Sequence, residues 1–251
     1  MGFFNFGKKA NKPVETEVEV EAPKKVNLAK EERVTRINLR KEEVKQVCAE
    51  IAALNGTKAR VALVLDYSGS MSSYYKDGTV QEVIEQMLPL AMQFDDDGNM
   101  ETWIFDDSYH RLPDINLNNF YNYVKNEIHY SMGGTNYAPV MKDIYKRYIK
   151  EEPVPIADYI IFITDGDNAD ATVTAEFMKE VSKEPIFWQF VGIGNSTFRF
   201  LEKLDDMHGR YVDNADFFKV TDPSAITYRQ LLNEFPSWLT NKKVQDMINK
   251  R

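Results

Sequence analysis

Three oxygen-bearing side chains stand at alternate positions in "LDYSGSM": Asp66, Ser68 and Ser70. They follow directly on an apolar run from Val61 to Leu65. Two further stretches offer oxygen donors in similar settings. "SMGGTNYAPVM" carries Thr135 behind Gly133 and Gly134 and ahead of an amphipathic stretch, and "DYIIFITDGDN" ends a second apolar run at Asp165. In extended or tightly turning backbone alternate residues face one way, so positions 66, 68 and 70 can aim at one point. Glycines at 69, 133 and 134 let backbone approach closely. The set Asp66, Ser68, Ser70, Thr135 and Asp165 contains neither sulfur nor imidazole. Hard oxygens of this kind suit Mg²⁺, with Mn²⁺ or Ca²⁺ as alternatives, and argue against zinc.

The charge balance sharpens that expectation. Three donors are neutral hydroxyls, so the two carboxylates just balance a divalent ion. Such an ion favours a further anionic oxygen, for instance an Asp or Glu from a protein partner. Blander readings stand beside it. Asp66, Ser68 and Ser70 can form a polar turn, Thr135 can cap a helix over 136–150, and Asp165 can be a turn residue before Gly166.

The elements that must hold these residues alternate from position 57 onward. Strand candidates are 60–65, 100–105, 158–164, 186–192 and, more weakly patterned, 209–213. Between them lie helical stripes: Val80, Val83, Ile84, Met87, Ala91 and Phe94, in a segment that Pro89 should kink, and Tyr137, Val140, Met141, Ile144, Tyr145 and Tyr148. Strands apolar on both faces and alternating with helices predict an α/β fold, a mostly parallel, doubly wound central sheet with helices on both faces. Ligands of such sheets bind beyond the carboxyl ends of the strands, where all the named oxygens fall.

Upstream, two blocks precede this domain of residues 57–251. Residues 1–26 mix charges with two prolines and predict a flexible tail. Its Phe3, Phe4 and Phe6, followed by Lys8 and Lys9, offer residues 1–9 as an alternative contact for a membrane surface or a partner groove. Residues 27–56 predict a helix with Asn38 as its cap, a stripe of Val44, Val47, Cys48, Ile51 and Leu54, and a stop at Asn55-Gly56. That stripe should pack on the following domain. Cys48, the single cysteine, reads as a small core residue rather than a redox centre.

Composition narrows the function classes. Hydrophobic content of 43% supports a real core, and a net charge of −8 disfavours broad contact with nucleic-acid phosphates. No secretory leader or apolar run of about 18 residues is present, so the expected location is the cytoplasm. "DDDGN" at 95–99 lacks a calcium-loop register and reads as a turn, and "GIGN" at 192–195 as a strand exit. Asp167 and Asp170 could extend the oxygen cluster, and Tyr74, Tyr75, Asp106, Asp107 and Tyr137 could form its rim. His110, His129 and His208 are unclustered.

"DYSGSM", "GGTN" and "TDGDN", in this order, resemble the D-x-S-x-S … T … D-G pattern of von Willebrand factor type A (vWA) domains and their metal-ion-dependent adhesion site, or MIDAS. The resemblance covers residues 57–220 as a Rossmann-like fold. It implies Ser68, Ser70 and Thr135 as hydroxyl ligands, with Asp66 and Asp165 binding directly or through water. "FDDDGNMETWIFDD" at 94–107 and "YRQLLNEFPSWL" at 228–239 are similar to the vWA module of bacterial tellurite-resistance proteins of the TerF type. This implies a bacterial cytoplasmic protein of a chemical-stress resistance system, acting as a metal-dependent protein-binding module. The alternatives are a Mg²⁺-dependent phosphohydrolase, against which stands the lack of an Asp-x-Asp pair after the first strand, and a metal-free scaffold.

Overall fold

The structure is a computed structural model that describes residues 1, 2, 25–95 and 97–251. The tail expected over residues 1–26, with its aromatic and basic start, lies almost wholly outside the described residues. Strands β1 (Ala59–Asp66), β2 (Met100–Phe105), β3 (Tyr109–Ile115), β4 (Ala157–Thr164), β5 (Ile186–Ile193) and β6 (Ala215–Val220) form one sheet in the order β3-β2-β1-β4-β5-β6. Every neighbouring pair is parallel except β2 with β3. Every residue of β1, β4 and β5 is buried, as a sheet covered on both faces requires.

Alternation along each strand divides two cores. Val61, Leu63 and Leu65 of β1 join Tyr159, Ile161 and Ile163 of β4 on one face. That face is covered by α3 (Thr79–Phe94) and, nearer the chain's end, by α8 (Tyr228–Leu231) and α9 (Phe235–Leu239). Ala62, Val64, Ile160 and Phe162 point the other way, under α5 (Ala138–Tyr145), α6 (Ala171–Val181) and α7 (Arg199–Asp205). The short helices α2 (Ser72–Lys76) and α4 (Tyr123–Glu127) and the terminal α10 (Lys242–Ile248) complete the set, and α5 runs on into a π-helical turn, Lys146–Glu151.

Helix α1 (Lys25–Glu50) differs from expectation at its start. Asn38 lies inside it, because the upstream "VNLAKEERVTRI" is rich in strong helix formers and carries Ile37, fully buried, two turns before Val44 of the stripe. Ile37, Val44 and Cys48 are buried in the core beside α3, and Arg33 pairs with the buried Glu85 of that helix. Burial pushes the Cys48 thiol up to about 11, so it stays protonated and unreactive at neutral pH. Helix α3 continues through Pro89.

One strand expectation fails and one strand was not expected, each for a local reason. Segment 209–213 is not a strand: Gly209 has φ +91, and Arg210 donates back to the carbonyls of Asp205 and Met207, closing a turn. The sixth strand is "ADFFKV", just beyond it. Strand β3, "YHRLPDI", lacks apolar alternation and contains Pro113, which an edge strand tolerates. At the opposite edge of the sheet from the oxygen cluster, Asp158 is fully buried and accepts from Arg60 Nε at 2.8 Å and Arg251 Nη2 at 2.7 Å. No helix among the described residues is long and apolar enough to cross a membrane.

Candidate metal centre

The strand order reverses direction between β1 and β4, and the crevice at such a switch point is where doubly wound sheets bind ligands. Asp66 is the last residue of β1, and Asp165 follows the last residue of β4. Between their ends both strands are apolar, over residues 61–65 and 159–163, so polar side chains gather at the strand ends, here the carboxyl ends.

The oxygens form one connected chain. The Ser70 hydroxyl donates to Asp165 Oδ1 at 2.8 Å, and the hydroxyls of Ser68 and Ser70 lie 3.0 Å apart. Since Ser70 has one proton and gives it to Asp165, Ser68 is the donor in that pair. Asp66 Oδ1 accepts the Ser68 N–H at 2.8 Å. Its Oδ2 accepts the Thr164 hydroxyl at 2.6 Å. With their protons directed along this chain, both serine oxygens keep lone pairs for another ligand.

Three loops are fastened around the chain by backbone bonds. Ser68 bridges Gly133 in parallel fashion, and the Gly69 N–H donates to the Gly133 carbonyl at 3.0 Å. The Thr135 carbonyl accepts from the Ala169 N–H at 2.8 Å, tying its loop to the one that follows Asp165. Asp66, Ser68, Ser70 and Asp165 therefore meet directly, and the half-buried Thr135 arrives with its loop. The expected glycine role is specific here. A Cβ at Gly133 would lie 2.7 Å from Asp107 Oδ2 and 2.8 Å from Asp106 Oδ2, so two carboxylates of the β2–β3 turn occupy that space.

Thr135 does not cap α5. The helix begins behind Tyr137, and the caps come from Asp170, which accepts the Tyr137 N–H at 3.0 Å and the Ala138 N–H at 2.8 Å. Asp170 sits just before α6, held by Asn168 and Thr174, so one carboxylate joins two helix starts. Asp167 accepts the Phe200 N–H. Neither residue extends the cluster. Tyr137 is not a rim residue either: it is fully buried, and its hydroxyl donates to the Gly166 carbonyl at 2.6 Å. Tyr75 donates to the Asp66 carbonyl at 2.9 Å and meets the Tyr67 ring edge-on. Thr164 is the participant that motif reading missed, although its place one residue before Asp165 was a usable signal.

The electrostatics are unbalanced. Asp66 is fully buried, and burial pushes its carboxyl up to about 6, against the pull of hydrogen bonds from Ser68 and Thr164. Burial also raises Asp165, with the Ser70 bond opposing. Neither carboxylate has a salt-bridge partner among the described residues. No three His, Cys, Asp or Glu side chains cluster as a metal site among those residues, so any cation here must rely on hydroxyls.

A sequence model of the vWA domains found at the C terminus of TerF matches residues 58–248, and the chain belongs to this vWA family. It is 39% identical over 224 residues to an uncharacterized Bacillus subtilis protein, YcbR, covering 86% of this chain and 91% of that one. Among solved structures, the SpRpn10 vWA domain superposes with a TM-score of 0.50 at 13% identity, over 75% of this chain and 97% of that one. A vWA protein from Catenulispora acidiphila gives 0.50 at 15% identity, over 75% and 43% of the two chains. The mussel byssus protein PTMP1, described with a zinc-occupied MIDAS motif, gives 0.50 at 12%, over 77% and 46%. At such identities these structures speak to the fold, and the chain spans under half the length of the last two.

Proposed function

We propose that this protein is a metal-ion-dependent protein-binding module. Asp66, Ser68, Ser70, Thr135 and Asp165 would hold one divalent cation, Mg²⁺ in the first instance and Mn²⁺ or Ca²⁺ as alternatives. The observation that carries the reading is the pair of buried carboxylates without a cationic side chain among the described residues. One is bonded by the Ser68 N–H and the other by the Ser70 hydroxyl, with the two serine hydroxyls 3.0 Å apart between them. A buried carboxylate without a cation is costly, and a small hard ion with oxygen ligands is the partner that this donor set fits. The bound ion would supply a Lewis-acidic position for an anionic oxygen. The serine and threonine donors add no negative charge to the two carboxylates that balance the ion, which leaves it able to take a carboxylate arriving from a protein partner. The mussel protein PTMP1, described with zinc in its MIDAS motif, supports the analogy of a divalent ion at this place in the fold.

A binding role is favoured over a phosphohydrolase by the neighbours of the two carboxylates. Their hydrogen bonds come from hydroxyls and backbone N–H groups, and among the described residues no histidine or lysine bonds to either. A general acid–base partner is what hydrolysis would need at that place. We further infer, from the TerF-type family, a cytoplasmic role in a bacterial tellurite or chemical-stress response. The test is capture of partners from the native cytoplasm by the wild-type chain and Thr135→Ala, with Mg²⁺ and with EDTA. Capture that depends on metal and is weakened about 10-fold or more by the substitution supports the reading. Equal capture in all four arms overturns it.

A further inference from the structure

The turn between β2 and β3, residues 106–108, lies against the loop that carries Thr135 and contains none of the five candidate ligands. Its shape is fixed from within. The Asp106 N–H donates to the Ser108 carbonyl at 3.1 Å, and Asp106 Oδ1 accepts the Ser108 N–H at 2.8 Å. An Asp side chain that bonds backbone two residues on is a common turn closure. Just ahead of the turn, the Phe105 carbonyl accepts the Tyr67 N–H at 2.7 Å, so the end of β2 also grips the first motif.

This turn holds Thr135 from both sides along the chain. The Gly134 N–H donates to Asp107 Oδ2 at 2.8 Å, and the Asn136 N–H donates to the Asp106 carbonyl at 2.8 Å. The residues before and after Thr135 are thus bonded to one closed turn, while the Thr135 carbonyl is held from another loop by Ala169. Packing restricts the Asp107 contact to glycine. A Cβ at Gly134 would lie 2.4 Å from Asp107 Oδ1, and the three atoms nearest to it all belong to Asp107, so that carboxylate would have to move. Asp107 is exposed and pairs with no cation among the described residues; its carboxylate bonds the Gly134 amide. A bond from N–H to an ionised carboxylate is stronger than one between neutral groups.

We propose that Asp107 is a positioning residue of the metal centre, setting Thr135 in place through the Gly134 amide; this rests on the reading of that centre as a divalent-cation site. The competing account is that its charge simply attracts the cation through space, and an asparagine separates the two. Asp107→Ala should weaken Mg²⁺ binding to the full chain, measured by calorimetry, about tenfold or more. Asp107→Asn keeps an acceptor for the Gly134 N–H and should stay within about threefold of wild type, because an exposed charge is screened. In EDTA, exchange of the Gly134 amide hydrogen followed by NMR should quicken about tenfold in the alanine variant and much less in the asparagine variant. Gly134→Ala should weaken Mg²⁺ binding in the wild-type background and add little to Asp107→Ala, where the obstructing carboxylate is gone. Equal Mg²⁺ losses in the alanine and asparagine variants assign the effect to charge and overturn the proposal. So does an Asp107→Ala variant with wild-type Mg²⁺ affinity or wild-type Gly134 exchange. A wild type that takes up no Mg²⁺ sinks the metal reading by itself, and Gly134 exchange in EDTA still decides whether Asp107 positions the loop.

Discussion

The substitution Asp66→Asn should stabilise the metal-free protein while removing its response to metal. Asp66 is fully buried, and its carboxyl is raised from 3.8 to about 6 by burial. At about 1.4 kcal/mol per unit, keeping it ionised at pH 7 costs the folded state about 3 kcal/mol. An asparagine removes that charge and can keep both hydrogen bonds. Its carbonyl accepts the Ser68 N–H, and its amide donates to the Thr164 oxygen, whose own proton can rotate toward the Gly166 carbonyl at 3.4 Å. Some of the gain is lost in re-aiming the Thr164 hydroxyl, so we expect about 1–3 kcal/mol. For a chain of this size that is roughly 3–10 °C in Tm.

The pH dependence fixes the sign. A carboxyl with a raised folded pKa binds more protons folded than unfolded, so wild-type stability in EDTA should fall as pH rises from about 4 through 6. The advantage of Asp66→Asn should therefore be near its full size at pH 7 and shrink to a few tenths of a kcal/mol by about pH 4. Saturating Mg²⁺ offsets that advantage: at a hundredfold excess over Kd, wild type gains about 2.7 kcal/mol, and the variant gains far less. Urea unfolding followed by circular dichroism at both pH values, with EDTA and with Mg²⁺, reads all of these differences. If Asp66→Asn lowers stability in EDTA at pH 7, or gains as much from Mg²⁺ as wild type does, the carboxylate is a structural hydrogen-bond acceptor and the reasoning fails.

Two other substitutions probe how the sheet supports the site. Asp170→Ala strips the caps from the Tyr137 and Ala138 N–H groups, and should cost about 1–2 kcal/mol in urea unfolding. Because the same loop holds the Thr135 carbonyl through Ala169, divalent-ion affinity measured by calorimetry should also fall. Arg60→Met leaves the buried Asp158 with Arg251 alone and removes a guanidinium 3.5 Å from the Tyr148 ring centroid. It should cost about 3–5 kcal/mol of stability yet leave metal affinity unchanged, since it acts at the other end of β1.

What the sequence disclosed, and what it hid, follows from how each feature is encoded. β1, β4 and β5 were legible because a strand buried on both faces needs an unbroken apolar run. β3 was hidden because an edge strand can be half-solvated and carry Pro113. Asn38 read as a cap because it precedes a stripe, but tertiary packing of Ile37 carries α1 past it. In the site, Asp66, Ser68, Ser70 and Asp165 were readable from alternate spacing and strand-end position, and the structure joins these four by hydrogen bonds. Asp170 was not legible as the cap of α5, because its bonds cross from the start of one helix to the start of another and leave no local spacing. Tyr137 fitted both a rim and a core stripe, and burial decided for the core.

The choice of serines at 68 and 70 has a consequence for stability as well as for binding. Had either been a carboxylate, the crevice would hold a third negative charge beside two that burial already penalises. The metal-free fold would then bear a larger electrostatic load, and a bound divalent ion would be over-neutralised. A hydroxyl instead donates a proton to stabilise the ionised Asp165, as Ser70 does, and still leaves a lone pair for a cation. The same two residues thus lower the cost of the empty crevice and leave a bound divalent ion with no more than two resident negative charges, so that a partner's carboxylate would be the third and not the fourth. An aspartate at 68 or 70 should therefore bind the ion more tightly and the partner more weakly, which is the arrangement a site built only to retain metal would use.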